Sequence, residues 1–413
     1  MPVLRARVLS PLDPDNVRFL DDALVVIGGT GRIVDVRPPD GTPVDADLRP
    51  GVLTPGFVDA HLHYPQVRMV GAATGPLLDW LEEEIFPEEA RFADPEHATA
   101  IAKVFCRSLA AAGTTLAVVY GSVHPEATDI LFRALDRAGL RAIAGPVLMD
   151  AHCPEELQLP PDRALPALED LADRWHGHDG RLQVAVIPRF ALSCSEAMLA
   201  GAGRLSRERK LLATAHLAEN PEECALARER FGTQDYLAIY EQAGLVHERS
   251  VFAHCVHLSD SEWDRFAAAG ARVAHCPDSN CFLGSGHMPV RAVEGRGIPL
   301  SVGTDIAAGR TFRVPRLLSS AYDNSVAVGT PVDPRRLLWW GTRGGALALG
   351  ETRVGCIERG MSADLVWSDL PGWVDNVDCA LAWLLFDHDA PRPHRTWVRG
   401  RVVWDREGGG YPW

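Results

Sequence analysis

The sequence predicts an α/β fold, a TIM-like (β/α)8 barrel with a small β-sandwich domain assembled from the two ends of the chain. Three observations carry this reading. Eight apolar, strand-like runs alternate with helical runs between about residues 55 and 350; both termini read as short alternating strands; and no glycine-rich phosphate loop follows the first central strand.

The first ~50 residues hold VLRARVLSP and ALVVIGGTGRIVDVRP, in which β-branched residues alternate and Gly28-Gly29-Thr30-Gly31 closes a hairpin. The central strand-like runs begin near residues 56, 114, 140, 182, 211, 250, 271 and 299, separated by helical segments such as HATAIAKVFCRSLAAAG and PEATDILFRALDRAG. Strand and helix alternating at this spacing imply parallel βαβ units, and eight of them imply a closed barrel. An open doubly wound sheet is the rival. It would carry a glycine-rich loop opening a helix, whereas GGTGRI sits in the N-terminal hairpin. The last ~60 residues return to period-two alternation in ADLVWSDL and TWVRGRVVWDREG. The expected division is 1–54 and 351–413 for the small β domain and 55–350 for the barrel.

Composition narrows the function. The chain has 413 residues, 46% hydrophobic and 23% charged, with a net charge of −14. An acidic protein lacks the cationic face that holds phosphates, so nucleic acid is not an expected partner and a small neutral or cationic substrate fits better. No stretch of ~18 apolar residues occurs, so no membrane association is expected, and the N-terminal MPVLRARVLSPLDPDN lacks a signal-peptide core. A cytoplasmic protein is the expectation. Nine scattered cysteines with no C-x-x-C pair suggest neither a disulfide framework nor a cysteine zinc site.

In such a barrel the chemistry comes from the C-terminal ends of the strands. The first run ends in His61-Leu62-His63, and residues i and i+2 of a strand point to one side, so both rings can reach one ion. The fifth run ends at His216, the sixth at His254 and the eighth at Asp305. One histidine at a strand end is commonly structural, but five such residues in one pattern make a shell suited to Zn2+ or Fe2+. Glu219 follows His216 by three residues, where the chain leaves a strand for a helix, and can relay protons between water and substrate. Glu222 and Glu223 fit the alternative of helix-start glutamates favoured by the macrodipole.

The number of metals turns on lysine. Two-metal barrel hydrolases commonly bridge their ions with a carboxylated lysine from the end of the fourth strand. Here that strand ends Ile187-Pro188-Arg189-Phe190, and the chain's two lysines, Lys103 and Lys210, lie in a helix and before the fifth strand. One metal ion is expected.

PGFVDAHLHYPQ (55–66), LLDWLEEEIFPEEARF (77–92), PRFALSCS (188–195), HLAENPEE (216–223), AHCPDSN (274–280) and GTDIAAG (303–309) resemble the guanine deaminase branch of the amidohydrolase superfamily. The His-Tyr-Pro-Gln run, the LLDWL…FP segment and the Pro-Arg-Phe strand end are the more specific marks. The resemblance implies zinc held by His61, His63, His216 and Asp305, with His254 and Asp305 managing the attacking water and Glu219 moving the proton. It implies that Gln66 and Arg189 recognise the purine, with Phe190 and Trp80 packing on it. An arginine fork suits a carbonyl such as guanine O6, and a glutamine offers a donor and an acceptor. The alternative for Arg189 is a structural ion pair. The implied reaction is hydrolytic deamination of guanine to xanthine and ammonia in purine catabolism, by a homodimer.

The segment VGAATGPLLDWL (70–81) lacks a Tyr, Glu or Gln found before this motif in some bacterial relatives. That keeps aza- or oxo-guanines, pterins and chloro-triazines as alternative substrates. A polynucleotide base deaminase would need H-x-E with P-C-x-x-C, and no P-C-x-x-C is present. A catalytically inactive scaffold on the same barrel is the remaining class; such proteins typically lose ligands, which this chain retains.

Overall fold

The computed structural model describes residues 1–72, 75–387 and 393–408. Four strands come first: β1 (Val3–Pro11), β2 (Val17–Ile27), β3 (Ile33–Arg37) and β4 (Ala46–Pro55). The barrel strands are β5 (Phe57–His63), β6 (Thr114–Tyr120), β7 (Arg141–Gly145), β8 (Val147–Leu148), β9 (Leu182–Pro188), β10 (Leu212–Leu217), β11 (Ser250–His254), β12 (Arg272–His275) and β13 (Leu300–Val302). Then come β14 (Leu365–Ser368), β15 (Arg395–Val398) and β16 (Arg401–Asp405).

The barrel is parallel, in the order β5-β6-β7-β9-β10-β11-β12-β13, with the two-residue β8 beside β9. Its strands are covered on both faces, which is why they read as continuous apolar runs rather than as alternation. Each of the eight main strands begins within one residue of its sequence expectation. The wall closes between its ends through two backbone bonds. Asp305 N–H donates to His61 O at 2.8 Å and His63 N–H donates to Ile306 O at 3.0 Å. This seam sets Asp305 beside both histidines of the first barrel strand.

The outer helices follow local rules. Pro95–Ala112 starts with Asp94 accepting from Glu96 N–H and Pro95 at its first position, buries Ile101, Phe105 and Leu109 on one stripe, and stops at Gly113 with φ +82°. A side chain at Gly113 would be strained at that φ and would also meet Val366 Cγ2 at 2.9 Å.

The two ends of the chain share one seven-stranded sheet, in the order β16-β15-β14-β4-β1-β2-β3. Residues 28–32 turn β2 into antiparallel β3, as the Gly-rich hairpin requires, and β14 lies antiparallel to β4, joining C-terminal to N-terminal strands. The sheet buries its own cluster, including Leu4, Val8, Val25, Ile33, Leu365 and Trp397. Arg141 Nε lies 3.1 Å from Asp364 Oδ2, a buried ion pair between the first residue of β7 and the approach to β14. Of the 70–76 loop, residues 73 and 74 lie outside the described residues.

Candidate active site

The strand ends converge. His61 Nε2 and His63 Nε2 stand 3.2 and 3.4 Å from Asp305 Oδ1, so the i, i+2 pair does face one point, and His63 Nε2 is 3.2 Å from His216 Nε2. Ligand atoms of His61, His216, His254 and Asp305 all fall within 4.8 Å of one another. Four ligands held tetrahedrally at ~2.0–2.1 Å from an ion stand ~3.4 Å apart, close to the His61–Asp305, His63–Asp305 and His63–His216 separations, although the group whose ligand atoms all fall within 4.8 Å of one another includes His254 and not His63. His254 Nε2 sits slightly farther out, 3.9 Å from Asp305 Oδ2.

The chemistry of these atoms fits a cation. No hydrogen bond satisfies the buried Nε2 of His61 or of His254, and buried unpaired nitrogens of this kind mark a missing partner such as an ion. Burial pushes the His61 imidazole down, His63 down to about 4, and His216 well below its ordinary value, the last reinforced by the neighbouring rings. Burial alone would raise the Asp305 carboxyl, but the His61 and His63 rings hold it well below the usual carboxylate range. Neutral imidazoles beside a carboxylate are the states in which a divalent metal is bound.

Two of the four rings are held from behind, whereas Nδ1 of His61 and of His63 is buried without a hydrogen-bond partner. His216 Nδ1 lies 2.6 Å from the Arg189 carbonyl oxygen, and His254 Nδ1 lies 2.8 Å from Asn280 Oδ1. With Nδ1–H donating in each case, Nε2 keeps its lone pair for the cleft. Ser279 Oγ donates to Asp305 Oδ2. Asp59 accepts from the N–H groups of His61 and Thr304, at 3.2 and 3.0 Å, tying β5 to the loop after β13. A Cβ on Gly303 would come within 2.6 Å of the His61 Cβ, so only glycine allows this approach. His254 and Asp305 have φ of +70° and +51°, a left-handed backbone that costs non-glycine residues ~1–3 kcal/mol each and clusters at working sites.

Glu219 enters the same space. Its Oε2 is 3.4 Å from His254 Nε2, and its Oε1 accepts from Ser285 Oγ at 3.3 Å. Burial, with the Asp305 and Glu223 carboxylates nearby, pushes its carboxyl well above the ordinary range. Glu223 serves the start of helix Pro221–Phe231 as expected, in a capping box with Asn220, and it also accepts from Glu219 N–H at 3.0 Å.

The four base-contact candidates line one cleft: Gln66, Trp80, Arg189 and Phe190, together with His63, His216, Glu219 and Asp305. Leu77, Leu81 and Leu283 add apolar lining. A wider groove of about 520 Å3 lies on the outer wall against helices Pro125–Ala138 and Pro161–Trp175, and none of these residues lines it. The ion pair considered for Arg189 is present too: Nη1 contacts Glu89 Oε2, while Gln66 Nε2 donates to Glu89 Oε1 at 2.9 Å. Glu89, Asn280 and Ser279 are site residues that sequence reasoning missed.

Among the described residues, one group of His, Cys, Asp and Glu side chains converges in this way. Lys103 is exposed on its helix and Lys210 is exposed at the entry of β10, opposite the strand ends.

Residues 52–403 match the model of the amidohydrolase family. The probable guanine deaminase of Deinococcus radiodurans is 39% identical over 419 residues, covering 95% of each chain. The solved guanine deaminase of Escherichia coli superposes with a TM-score of 0.93 at 34% identity, over 98% of this chain and 100% of that one. The guanine deaminase of C. acetobutylicum, solved with guanine in its active site, gives a TM-score of 0.92 at 27% identity over 98% and 100%.

Proposed function

The chain belongs to the amidohydrolase family, and from that membership and the geometry of its cleft we infer that it hydrolyses guanine to xanthine and ammonia. One observation carries the reading. A carboxyl whose proton affinity burial raises, Glu219, stands 3.4 Å from His254 Nε2, in the same cleft as Gln66, Trp80, Arg189 and Phe190.

His61, His63, His216 and Asp305 would hold the metal, with Zn2+ favoured by the nitrogen and oxygen donor set and Fe2+ as the alternative. When bound, such an ion lowers the pKa of water and so supplies a nucleophile at neutral pH. The chain's own groups do the rest. Arg189 donates to the purine carbonyl, Gln66 to the ring edge, and Phe190 and Trp80 enclose the ring faces. Asp305 Oδ2 and His254 Nε2 accept the proton of the attacking water as its oxygen bonds to C2. Glu219 gives its proton to ring N3, then takes the remaining proton from the hydroxyl now on C2 and passes it to the 2-amino group, and the first water proton, held by Asp305 or His254, returns Glu219 to its protonated form. The C2–N bond breaks, ammonia leaves, and xanthine keeps the new oxygen.

No helix of the described residues is long and apolar enough to cross a membrane. A cytoplasmic homodimer acting in purine catabolism belongs to the same reading and is supported by the family resemblance. The test is direct: metal-replete protein is incubated separately with guanine, adenine, cytosine and a pterin while ammonia is followed. Release from guanine, with xanthine as product, is expected. Silence on guanine with turnover of the pterin would transfer the site to that substrate.

A further inference from the structure

Gln66 and Arg189 come from distant parts of the chain, one just after β5 and one just after β9, yet both are tied to the same carboxylate. Glu89 lies in the short helix Phe86–Ala90, is 6% exposed, and places Oε1 2.9 Å from Gln66 Nε2 and Oε2 against Arg189 Nη1. Its two oxygens are thereby divided between the two polar residues of the cleft. Arg189 is itself 2% exposed, and its guanidinium lies 5.4 Å from the centre of the Phe86 ring. Within the described residues, Glu89 is the carboxylate in contact with that buried charge.

This contact settles orientation as well as charge. Gln66 Oε1 accepts from Ala307 N–H at 3.0 Å while Nε2 donates to Glu89, so the amide is held one way round and one Nε2 hydrogen remains for a ligand. Arg189 spends an Nη1 hydrogen on Glu89, which leaves the other guanidinium donors directed by that anchor. A buried guanidinium without its anion would carry the full cost of an unpaired charge and would swing to find another partner.

We propose that Glu89 is a positioning residue that holds Gln66 and Arg189 in the arrangement that reads the 6-oxo edge of the purine. Glu89 does not itself line the cleft; it acts through Gln66 and Arg189, which do. The proposal rests on guanine being the substrate.

The experiment compares kcat and KM for guanine and for 2-aminopurine, which keeps the 2-amino group but lacks the 6-oxo group, in the wild type and in Glu89→Gln. The variant is expected to raise KM for guanine about tenfold or more with a smaller change in kcat, and to change kcat/KM for 2-aminopurine less than about twofold. Metal content is expected to stay at the wild-type value. Equal loss on both substrates, or no loss on guanine, overturns the positioning role. Absence of guanine turnover by the wild type instead overturns the substrate assignment. Should Glu89→Gln fold poorly by its melting curve, Glu89→Asp, whose shorter carboxylate keeps the charge but cannot span both partners, carries the same comparison and the same criteria.

Discussion

The Nδ1 of His216 lies 2.6 Å from the carbonyl oxygen of Arg189, whose side chain faces the substrate cleft. One residue therefore orients a member of the histidine cluster with its backbone and turns a guanidinium into the cleft, where we propose that it meets the base, with its side chain. In the proposed reading, metal binding and base recognition are neighbours through that carbonyl, yet they are separable, because the carbonyl survives any substitution of the side chain.

Arg189→Ala is accordingly expected to keep its metal and lose recognition. A hydrogen bond from a charged donor contributes ~1.5–3 kcal/mol, so kcat/KM for guanine should fall about 10- to 160-fold, with metal per chain unchanged by elemental analysis. Loss of metal in this variant would show that the side chain, and not the carbonyl alone, supports His216.

Glu219→Gln removes the proton carrier but keeps the shape. A fall in kcat of about 10^2–10^4-fold with little change in KM is expected. Stability should move the other way. The raised carboxyl of Glu219 favours the fold while it holds its proton, and that contribution is lost as pH rises from the ordinary value of 4.5 toward the raised one. Glutamine mimics the protonated group at every pH. Metal-free Glu219→Gln should therefore melt above the metal-free wild type at pH 8, by a few degrees, and the two curves should meet as pH falls below about 4.5. A variant that melts lower at pH 8 would contradict the burial account.

The strand starts and the five strand-end residues were legible because they depend on local pattern. Strands buried on both faces read as apolar runs, and in a parallel barrel every strand delivers its last residues to the same end. That Gln66, Trp80, Arg189 and Phe190 would share one cleft was legible through family resemblance, not through spacing. Glu89 was not legible at all. It is one of five glutamates between residues 82 and 89, and its partners lie 23 and 100 residues away. Its neighbours Leu81–Ile85 form a π-helical turn inside an otherwise helical stretch, which the periodicity of LLDWLEEEIFPEEA does not announce. Asn280 and Ser279 were hidden in the same way, since their contacts to His254 and Asp305 each span 26 residues.

Removing the metal tests the cluster as a whole. Dialysis against a chelator is expected to abolish ammonia release and lower the melting temperature, because an ion that binds the fold and not the unfolded chain stabilises by mass action. One equivalent of Zn2+ per chain should restore both. Full activity in protein shown by elemental analysis to be metal-free would remove the ion from the reaction, and a requirement for two equivalents would contradict the inference drawn from Arg189 standing where a bridging lysine would stand.

The Arg141–Asp364 pair tests how the terminal sheet is fastened to the barrel. Arg141 is the first residue of β7, at the end of the barrel opposite the site. It donates from Nε to Asp364 at 3.1 Å and from Nη1 to Gly180 O at 2.9 Å. Asp364 also accepts from Ser362 Oγ at 2.6 Å and from Arg399 N–H at 2.9 Å. Breaking a buried pair by removing one partner costs ~3–5 kcal/mol, and the two remaining hydrogen bonds on Asp364 place Arg141→Met near the low end of that range. Replacing both partners, Arg141→Met with Asp364→Asn, removes the stranded charge and should recover part of the loss in denaturant unfolding, a coupling that a double-mutant cycle reads directly. Because the pair lies at the strand starts and the chemistry at the strand ends, kcat for guanine should stay within about twofold of wild type in both variants at temperatures where they remain folded. A large fall in kcat there would mean that the sheet, through this contact, helps to set the geometry of the site.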